Sequence, residues 1–138
     1  MGGGYEVLEH TADVGIRAWG DSLEGAFDQA TRGLLDITGA FDEAGDGETL
    51  DISIDGDDLG GLLVEWLEEV LYTQDAKDRV VTAIDVDRVG EGGIRGSIRT
   101  KPRPGTLEGT AVKAITYHQL LVEERADGNW IAQVFFDI

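Results

Sequence analysis

The chain has 138 residues, of which 41% are hydrophobic, and its 28 Asp and Glu against 11 Lys and Arg give a net charge of −17. This length and composition predict one folded domain over residues 1–138, and the lack of any apolar run of about 18 residues excludes a membrane-spanning segment. The absence of cysteine excludes disulfides and thiolate zinc sites, and the acidic balance disfavours strong direct binding to nucleic acid.

The N-terminal region predicts a short leader and two strands. The glycine-rich residues 1–4 are expected to be a flexible leader, and they lack the features of a secretory signal, so a cytoplasmic location is expected. A β-prone run at Tyr5–Leu8 precedes a polar turn, Glu9–Asp13. The segment VGIRAW then alternates in hydrophobicity and predicts a second strand.

Two helices are predicted on either side of a third strand, LDISI. Ser22 is a plausible N-cap for the first helix and Gly39 fits its end. Asp57 or Asp58 caps the second helix. Its apolar residues recur at helical spacing and leave a face of glutamates outside: Leu59, Leu62, Leu63, Trp66, Leu67, Val70 and Leu71.

The rest of the chain is rich in β-strand patterns. RVVTAIDVDRV and GGIRGSIRT predict two strands joined by a turn over residues 90–93. Two long runs, AVKAITYHQLLVEE and NWIAQVFFDI, flank Asp127-Gly128, which is typical of a type I′ hairpin. This order of elements predicts an α+β fold with two helices packed on a mainly antiparallel sheet.

Two segments offer chemically useful groups. The turn Glu9-His10-Thr11-Ala12-Asp13 places carboxylates, an imidazole and a hydroxyl in a loop, where sites are often built. The alternative is a structural turn closed by hydrogen bonds from Asp13 or Thr11 to the backbone.

The second segment is the end of the chain. Strand alternation puts Val134 and Phe136 on one face and Phe135 and Asp137 on the other. The carboxylate of Asp137 and the α-carboxylate of Ile138 repel each other unless a cation or a basic group lies between them. Such hard oxygen ligands suit Mg²⁺ or Ca²⁺ better than Zn²⁺. An ordinary solvated terminus is the alternative, because an acidic surface also serves simply to keep a protein soluble.

Several of these segments resemble the archease family. The residues that carry the resemblance are His10-Thr11-Ala12-Asp13-Val14-Gly15, the segment KAITYH from Lys113 to His118, the terminal Phe136-Asp137-Ile138, and the helix pattern from Leu62 to Tyr72. The resemblance extends from about Tyr5 to Ile138.

The resemblance implies a function and a site. Archeases are accessory proteins of the RtcB-type RNA ligase in tRNA splicing: they promote its guanylylation and multiple turnover without catalysing ligation. By position, the implied ligands of a divalent metal ion (Ca or Mg) are Asp13, Asp137 and the terminal carboxylate of Ile138. Further functional candidates are His10, Asp75, Lys113 and His118.

Two other functions stay open at this point. One is a general chaperone or modulator of RNA-modifying enzymes, and the other is a metal-dependent hydrolase that uses the same carboxylates. Lys113 and the two histidines also have plain structural alternatives, as a solvent-facing lysine and as hydrogen-bonded strand residues.

Overall fold

The computed structural model describes residues 2–9, 13–43 and 46–138 and shows two helices packed with antiparallel sheets, as the sequence predicts. The elements in chain order are β1 (Gly4–Glu9), β2 (Asp13–Gly20), α1 (Leu23–Thr38), β3 (Glu48–Asp55), α2 (Leu59–Ala76), β4 (Arg79–Gly90), β5 (Gly93–Pro102), β6 (Ala114–Ile115), β7 (Leu121–Glu124) and β8 (Trp130–Asp137). None of the described helices is long and apolar enough to cross a membrane.

The strands form two sheets rather than one. The larger sheet has the order β1-β2-β8-β6, with β7 also paired to β8, and the smaller has the order β3-β5-β4. Helix α1 packs mainly on β2 of the larger sheet and β4 of the smaller one, and also on β8 and β1, whereas α2 packs on the smaller sheet and reaches β6 and β7. The two helices therefore join the two sheets around one core.

Both helices begin at side chains that can satisfy their first free amide groups. The hydroxyl of Ser22 accepts a hydrogen bond from Gly25 N at 3.0 Å. Of the two candidates for α2, Asp58 is the cap, and its carboxylate accepts from Gly61 N at 3.1 Å. Helix α1 ends at Gly39, whose φ of 79° is left-handed and is most readily adopted by glycine.

The core forms where the inner face of the larger sheet meets the helices. Val14, Ile16 and Ala18 of β2 stand opposite Phe136, Val134 and Ala132 of β8, and all six are buried. From α2, the fully buried Trp66 donates from Nε1 to Thr31 Oγ1 of α1 at 2.9 Å. The predicted strand β2 and the predicted inward face of α2 are confirmed.

Three boundaries differ from the sequence prediction. Strand β1 starts at Gly4, which pairs with Trp19. Gly4 therefore belongs to the sheet and not to the leader expected over residues 1–4. Helix α2 continues to Ala76, beyond the pattern that ends at Tyr72. The run AVKAITYHQLLVEE is two short strands, β6 and β7, interrupted where Gln119 has a φ of 51°.

The prediction of a type I′ turn at Asp127-Gly128 is also wrong. Of this pair only Gly128 has a positive φ, 89°, whereas a type I′ turn needs positive values at both central residues. The loop is instead closed by Gly128 N donating to Arg125 O at 2.9 Å and Arg125 N donating to Asn129 O at 2.7 Å. Asp127 accepts from Asn129 N at 2.9 Å, which favours this alternative local conformation.

Candidate functional site

Two of the residues predicted as metal ligands, Asp13 and Asp137, lie together at one end of the larger sheet. Asp13 is the first residue of β2 and Asp137 the last of β8, and the antiparallel register places them directly opposite each other. Residues opposite each other across an antiparallel pair project to the same face, with Cβ atoms about 5 Å apart. Asp13 is half-buried and Asp137 exposed, so the pair is open to an ion or a partner.

The face that carries the two carboxylates is the outer face of the sheet, away from the core. Two residues further along each strand, Gly15 and Phe135 form the next pair on this face. A Cβ atom on Gly15 would lie 2.8 Å from ring atoms of Phe135, so the ring rests directly on the Gly15 backbone. Phe135 is 1% exposed and forms an apolar floor beside the carboxylate pair.

His118 lies over the same floor. Its ring meets the Phe135 ring edge to face, with the centroids 5.8 Å apart. The segment that carries it is tied to β8 because Thr116 N and Thr116 Oγ1 both donate to Phe135 O, at 2.9 and 3.0 Å. The structure therefore places exposed His118 on the carboxylate side of the sheet.

Lys113 adjoins Asp137 through the backbone. Lys113 N donates to Asp137 O at 2.8 Å, and the next residue, Ala114, pairs with Asp137 in the sheet. The Lys113 side chain is exposed and makes no ion pair within the described part of the chain. The ammonium group is therefore available to an anionic group.

Asp75 occupies a different position from the carboxylate pair. It lies in the last turn of α2, where its Oδ1 accepts from Gln74 Nε2 at 3.2 Å and stands 4.0 Å from Arg103 Nη2. Arg103 Nη2 in turn donates to Gln74 O. These contacts hold the segment after β5 against the end of α2. Asp75 therefore has a structural role.

The two predicted site residues that remain are His10 and Ile138. His10, with Thr11 and Ala12, lies outside the described residues. Ile138 directly follows Asp137 and is 39% exposed. Within residues 2–9, 13–43 and 46–138, no three His, Cys, Asp or Glu side chains are grouped closely enough to hold a metal ion. Neither His118 nor Asp75 therefore completes a three-side-chain site with Asp13 and Asp137.

Local sequence patterns did not reveal the contact between Gly15 and Phe135 that lies next to the Asp13–Asp137 pair. A glycine inside a strand signals close approach of another group, and Gly15 is such a residue. The partner, Phe135, is 120 positions away, so only the strand register reveals that the two form one unit.

The arrangement defines a small α+β domain with paired carboxylates, a lysine and a histidine around the ends of its central strands. The model of the archease protein family matches residues 5–138. The chain therefore belongs to the archease family.

Relatives and solved structures agree with this assignment. The chain is 38% identical to the protein archease of Pyrococcus furiosus, over 97% of this chain and 98% of the relative, and 36% identical to that of Methanosarcina acetivorans, over 97% and 95%. The solution structure of Methanobacterium thermoautotrophicum protein 1598 matches with a TM-score of 0.76 at 26% identity, covering 98% of this chain and 99% of the other.

A crystal structure of a Thermotoga maritima protein described as an archease, possible chaperone, shares the fold. It has a TM-score of 0.66 at 24% identity and covers 96% of each chain.

Proposed function

We propose that the chain is a non-catalytic activator of an RtcB-type RNA ligase in cytoplasmic tRNA splicing, and that it works through a divalent metal held by Asp13 and Asp137. The observation that carries the proposal is their direct cross-strand pairing. Like charges facing each other across a sheet destabilise it, so a bound cation would relieve a repulsion built into the fold.

The residues at hand fit a hard cation such as Ca²⁺ or Mg²⁺. Carboxylate oxygens are the ligands these ions prefer, and Ca²⁺ takes about six to eight of them. Two carboxylates supply only part of that set. The remaining positions would be filled by the terminal carboxylate of Ile138, by water or by a group on the ligase. An incomplete site of this kind suits an ion that is shared with a partner.

The neighbouring side chains suggest how such a site assists guanylylation. In that reaction the ligase nucleophile attacks the α-phosphate of a guanine nucleoside triphosphate, and pyrophosphate leaves. Lys113, which is bonded to Asp137 through its backbone, carries an exposed ammonium group that could bind phosphate, and His118 packs on Phe135 on the carboxylate face. A divalent metal ion supplies charge neutralisation and fixed geometry at a phosphate.

A second candidate function is general chaperone activity. It is favoured by the description of the Thermotoga maritima neighbour as a possible chaperone. Under this alternative, the protein would protect unrelated enzymes from aggregation regardless of the carboxylate pair.

The deciding experiment is guanylylation of a purified RtcB-type ligase, from the same organism, with and without this protein. We expect faster label transfer and multiple turnover with the wild type. Asp13→Asn and Asp137→Asn should each weaken metal binding and stimulation by about tenfold or more. Asp51→Asn is the matched control, because Asp51 is an exposed strand aspartate on the other sheet.

Three further results separate the alternatives. In metal-free buffer, Asp13→Asn should unfold at an equal or higher temperature than the wild type because a like-charge contact is lost. Stimulation by Asp13→Asn equal to the wild type would contradict the proposed site. Turnover of nucleotide or RNA by the protein alone would favour the hydrolase, and equal protection of unrelated enzymes would favour the chaperone.

A further inference from the structure

An open groove of about 310 Å³ lies between the end of α2 and strand β6. Its apolar part is formed by Leu71 and Ile115, which are nearly buried, and by the small side chains of Ala76 and Ala114. Glu68, Tyr72 and Asp75 form the α2 wall, and Lys113 stands on the opposite wall. The groove is thus apolar at its base and charged at its edges.

Tyr72 presents a large aromatic surface at this groove. It is 56% exposed, and among the exposed large hydrophobic residues of the described chain only Tyr117 is more exposed. The Nζ of Lys77 lies 5.7 Å from its ring centroid, so the ring already accepts a cation from within the chain. An exposed tyrosine of this type is a common anchor of protein interfaces.

The α2 wall is negative and only partly neutralised. Glu68 is exposed and has no ion pair or hydrogen bond within the described residues, while Asp75 is 53% exposed and stands 4.0 Å from Arg103. The last turn of α2 contains no basic residue, and Lys77, which follows it as the C-cap, has its Nζ over the Tyr72 ring, so it only partly offsets the negative charge of the two carboxylates and the helix C-terminus. A cationic side chain is the group that this wall accepts best.

The groove and the carboxylate pair are connected through the backbone of Lys113. Lys113 lines the β6 wall of the groove and also donates from its backbone to Asp137 O at 2.8 Å. Ile115 at the base of the groove pairs with Phe136, which faces the core, whereas Asp13 and Asp137 lie on the outer face of the sheet.

We infer that the groove is the docking surface for a protein segment that carries an apolar side chain beside an arginine or lysine. The apolar side chain packs on Leu71 and Ile115, and the basic group lies against Tyr72 and Glu68. The inference rests on the proposed function in that it assigns this segment to the ligase. A second copy of this chain is a poor occupant because two molecules of net charge −17 repel each other.

The test separates docking from activation. Glu68→Lys reverses the charge of the α2 wall at an exposed position, and Tyr72→Ser removes the aromatic ring. Glu69→Lys is the matched control, because Glu69 is the next residue of the same helix, is exposed, and does not line the groove. Binding to the purified ligase is measured by titration calorimetry, and guanylylation is measured at low and at saturating concentrations of each variant.

We expect Glu68→Lys and Tyr72→Ser to raise the Kd for the ligase by about tenfold or more, and Glu69→Lys to leave it nearly unchanged. At saturating concentration both groove variants should still stimulate, whereas Asp137→Asn should bind the ligase but stimulate it less by about tenfold or more. Thermal melts equal to the wild type would show that the variants are folded.

The two proposals fail in different ways. If the wild type stimulates the ligase and both groove variants bind as tightly as it does, the docking inference is wrong and the proposed function stands. If the wild type does not bind the ligase at all, both are wrong. Sedimentation of the protein alone that shows a dimer, lost in Glu68→Lys, would assign the groove to a second copy and overturn the inference.

Discussion

At the scale of single residues, Gly15 connects the fold to the candidate site. The Phe135 ring occupies the space that any Cβ at position 15 would need, with ring atoms at 2.8 Å. Asp13 and Asp137 each stand two residues away from this contact on their own strands. The glycine is therefore needed for packing on the very face that presents the carboxylates.

We predict that Gly15→Ala lowers the free energy of unfolding by about 1–3 kcal/mol, the usual cost of overpacking. Phe135 has little room to move because it is 1% exposed, its ring packs against His118 and its carbonyl accepts a hydrogen bond from Thr116 Oγ1. Metal binding at the Asp13–Asp137 pair should weaken as well. Urea unfolding measures the first effect, and a metal titration of the folded variant measures the second.

Gly90→Ala is the control for this change. Gly90 ends a strand without a positive φ, and a Cβ built there meets nothing within 4 Å. We expect its unfolding free energy to stay within about 0.5 kcal/mol of the wild type. If Gly15→Ala proved as harmless as Gly90→Ala, the close contact between the two strands would be refuted.

The candidate site could be predicted from the sequence only as separate pieces. Asp13, Asp137 and Lys113 could be singled out from their local segments and from the family resemblance. Their proximity depends on the antiparallel register of β2 with β8 and on the bond from Lys113 N to Asp137 O. Such contacts join distant parts of the chain and leave no local pattern in the sequence.

At the scale of elements, the helices were easier to predict than the last strands. Ser22, Asp58 and Gly39 mark helix ends through local hydrogen bonds and backbone preference, which a sequence displays directly. The break between β6 and β7 depends on Gln119, a residue that rarely adopts a positive φ. Gln133 Nε2 donates to Gln119 O at 2.9 Å and helps to hold that conformation.

Within α1, the pair formed by Asp28 and Arg32 is electrostatically imperfect. Asp28 Oδ1 lies 3.3 Å from Arg32 Nε but has no hydrogen bond of acceptable geometry. Burial raises the pKa of Asp28, and the nearby Arg32 charge only partly offsets this effect. Folding therefore disfavours the ionised carboxylate.

This imbalance predicts the pH dependence of Asp28→Asn. The pKa of Asp28 in the folded protein lies above its ordinary value of 3.8, so ionised Asp28 destabilises the fold at neutral pH. As pH falls through the folded pKa and then below 3.8, the carboxylate is protonated in both states and the penalty disappears. Asp28→Asn should thus be more stable than the wild type at neutral pH, and its advantage should shrink in acid.

Urea unfolding of both proteins between about pH 3 and pH 7 tests this sign. The difference between variant and wild type isolates Asp28 from the many other carboxylates that titrate in acid. Asp51→Asn, at an exposed strand position, should show a smaller difference at neutral pH. A less stable Asp28→Asn at neutral pH would mean that the attraction to Arg32 outweighs burial.

At the scale of the whole molecule, negative charge is the dominant feature outside the core. The ion pairs in the described part of the chain involve only eight of the 28 acidic residues. Some carboxylates crowd each other: a hydrogen bond to Asp85, and then the charge of Asp85, raise the pKa of Asp87. Composition predicts this repulsion, but only the fold shows which carboxylates remain without a basic neighbour.

This charge leads to a final prediction, that salt stabilises the protein. Repulsion between carboxylates is stronger in the compact folded state than in the expanded chain, so screening by salt should raise the free energy of unfolding. Most of the rise should occur below about 0.5 M NaCl, because the Debye length has fallen to a few ångströms at that concentration. A variant that combines Glu43→Gln, Asp46→Asn, Asp51→Asn and Glu91→Gln removes four exposed charges that have no ion pair within the described residues. In urea unfolding at low salt it should be more stable than the wild type, and its stability should depend less on NaCl. Equal salt dependence of the two proteins would show that salt acts through apolar burial or through one bound ion, because neither effect depends on the net charge of the surface.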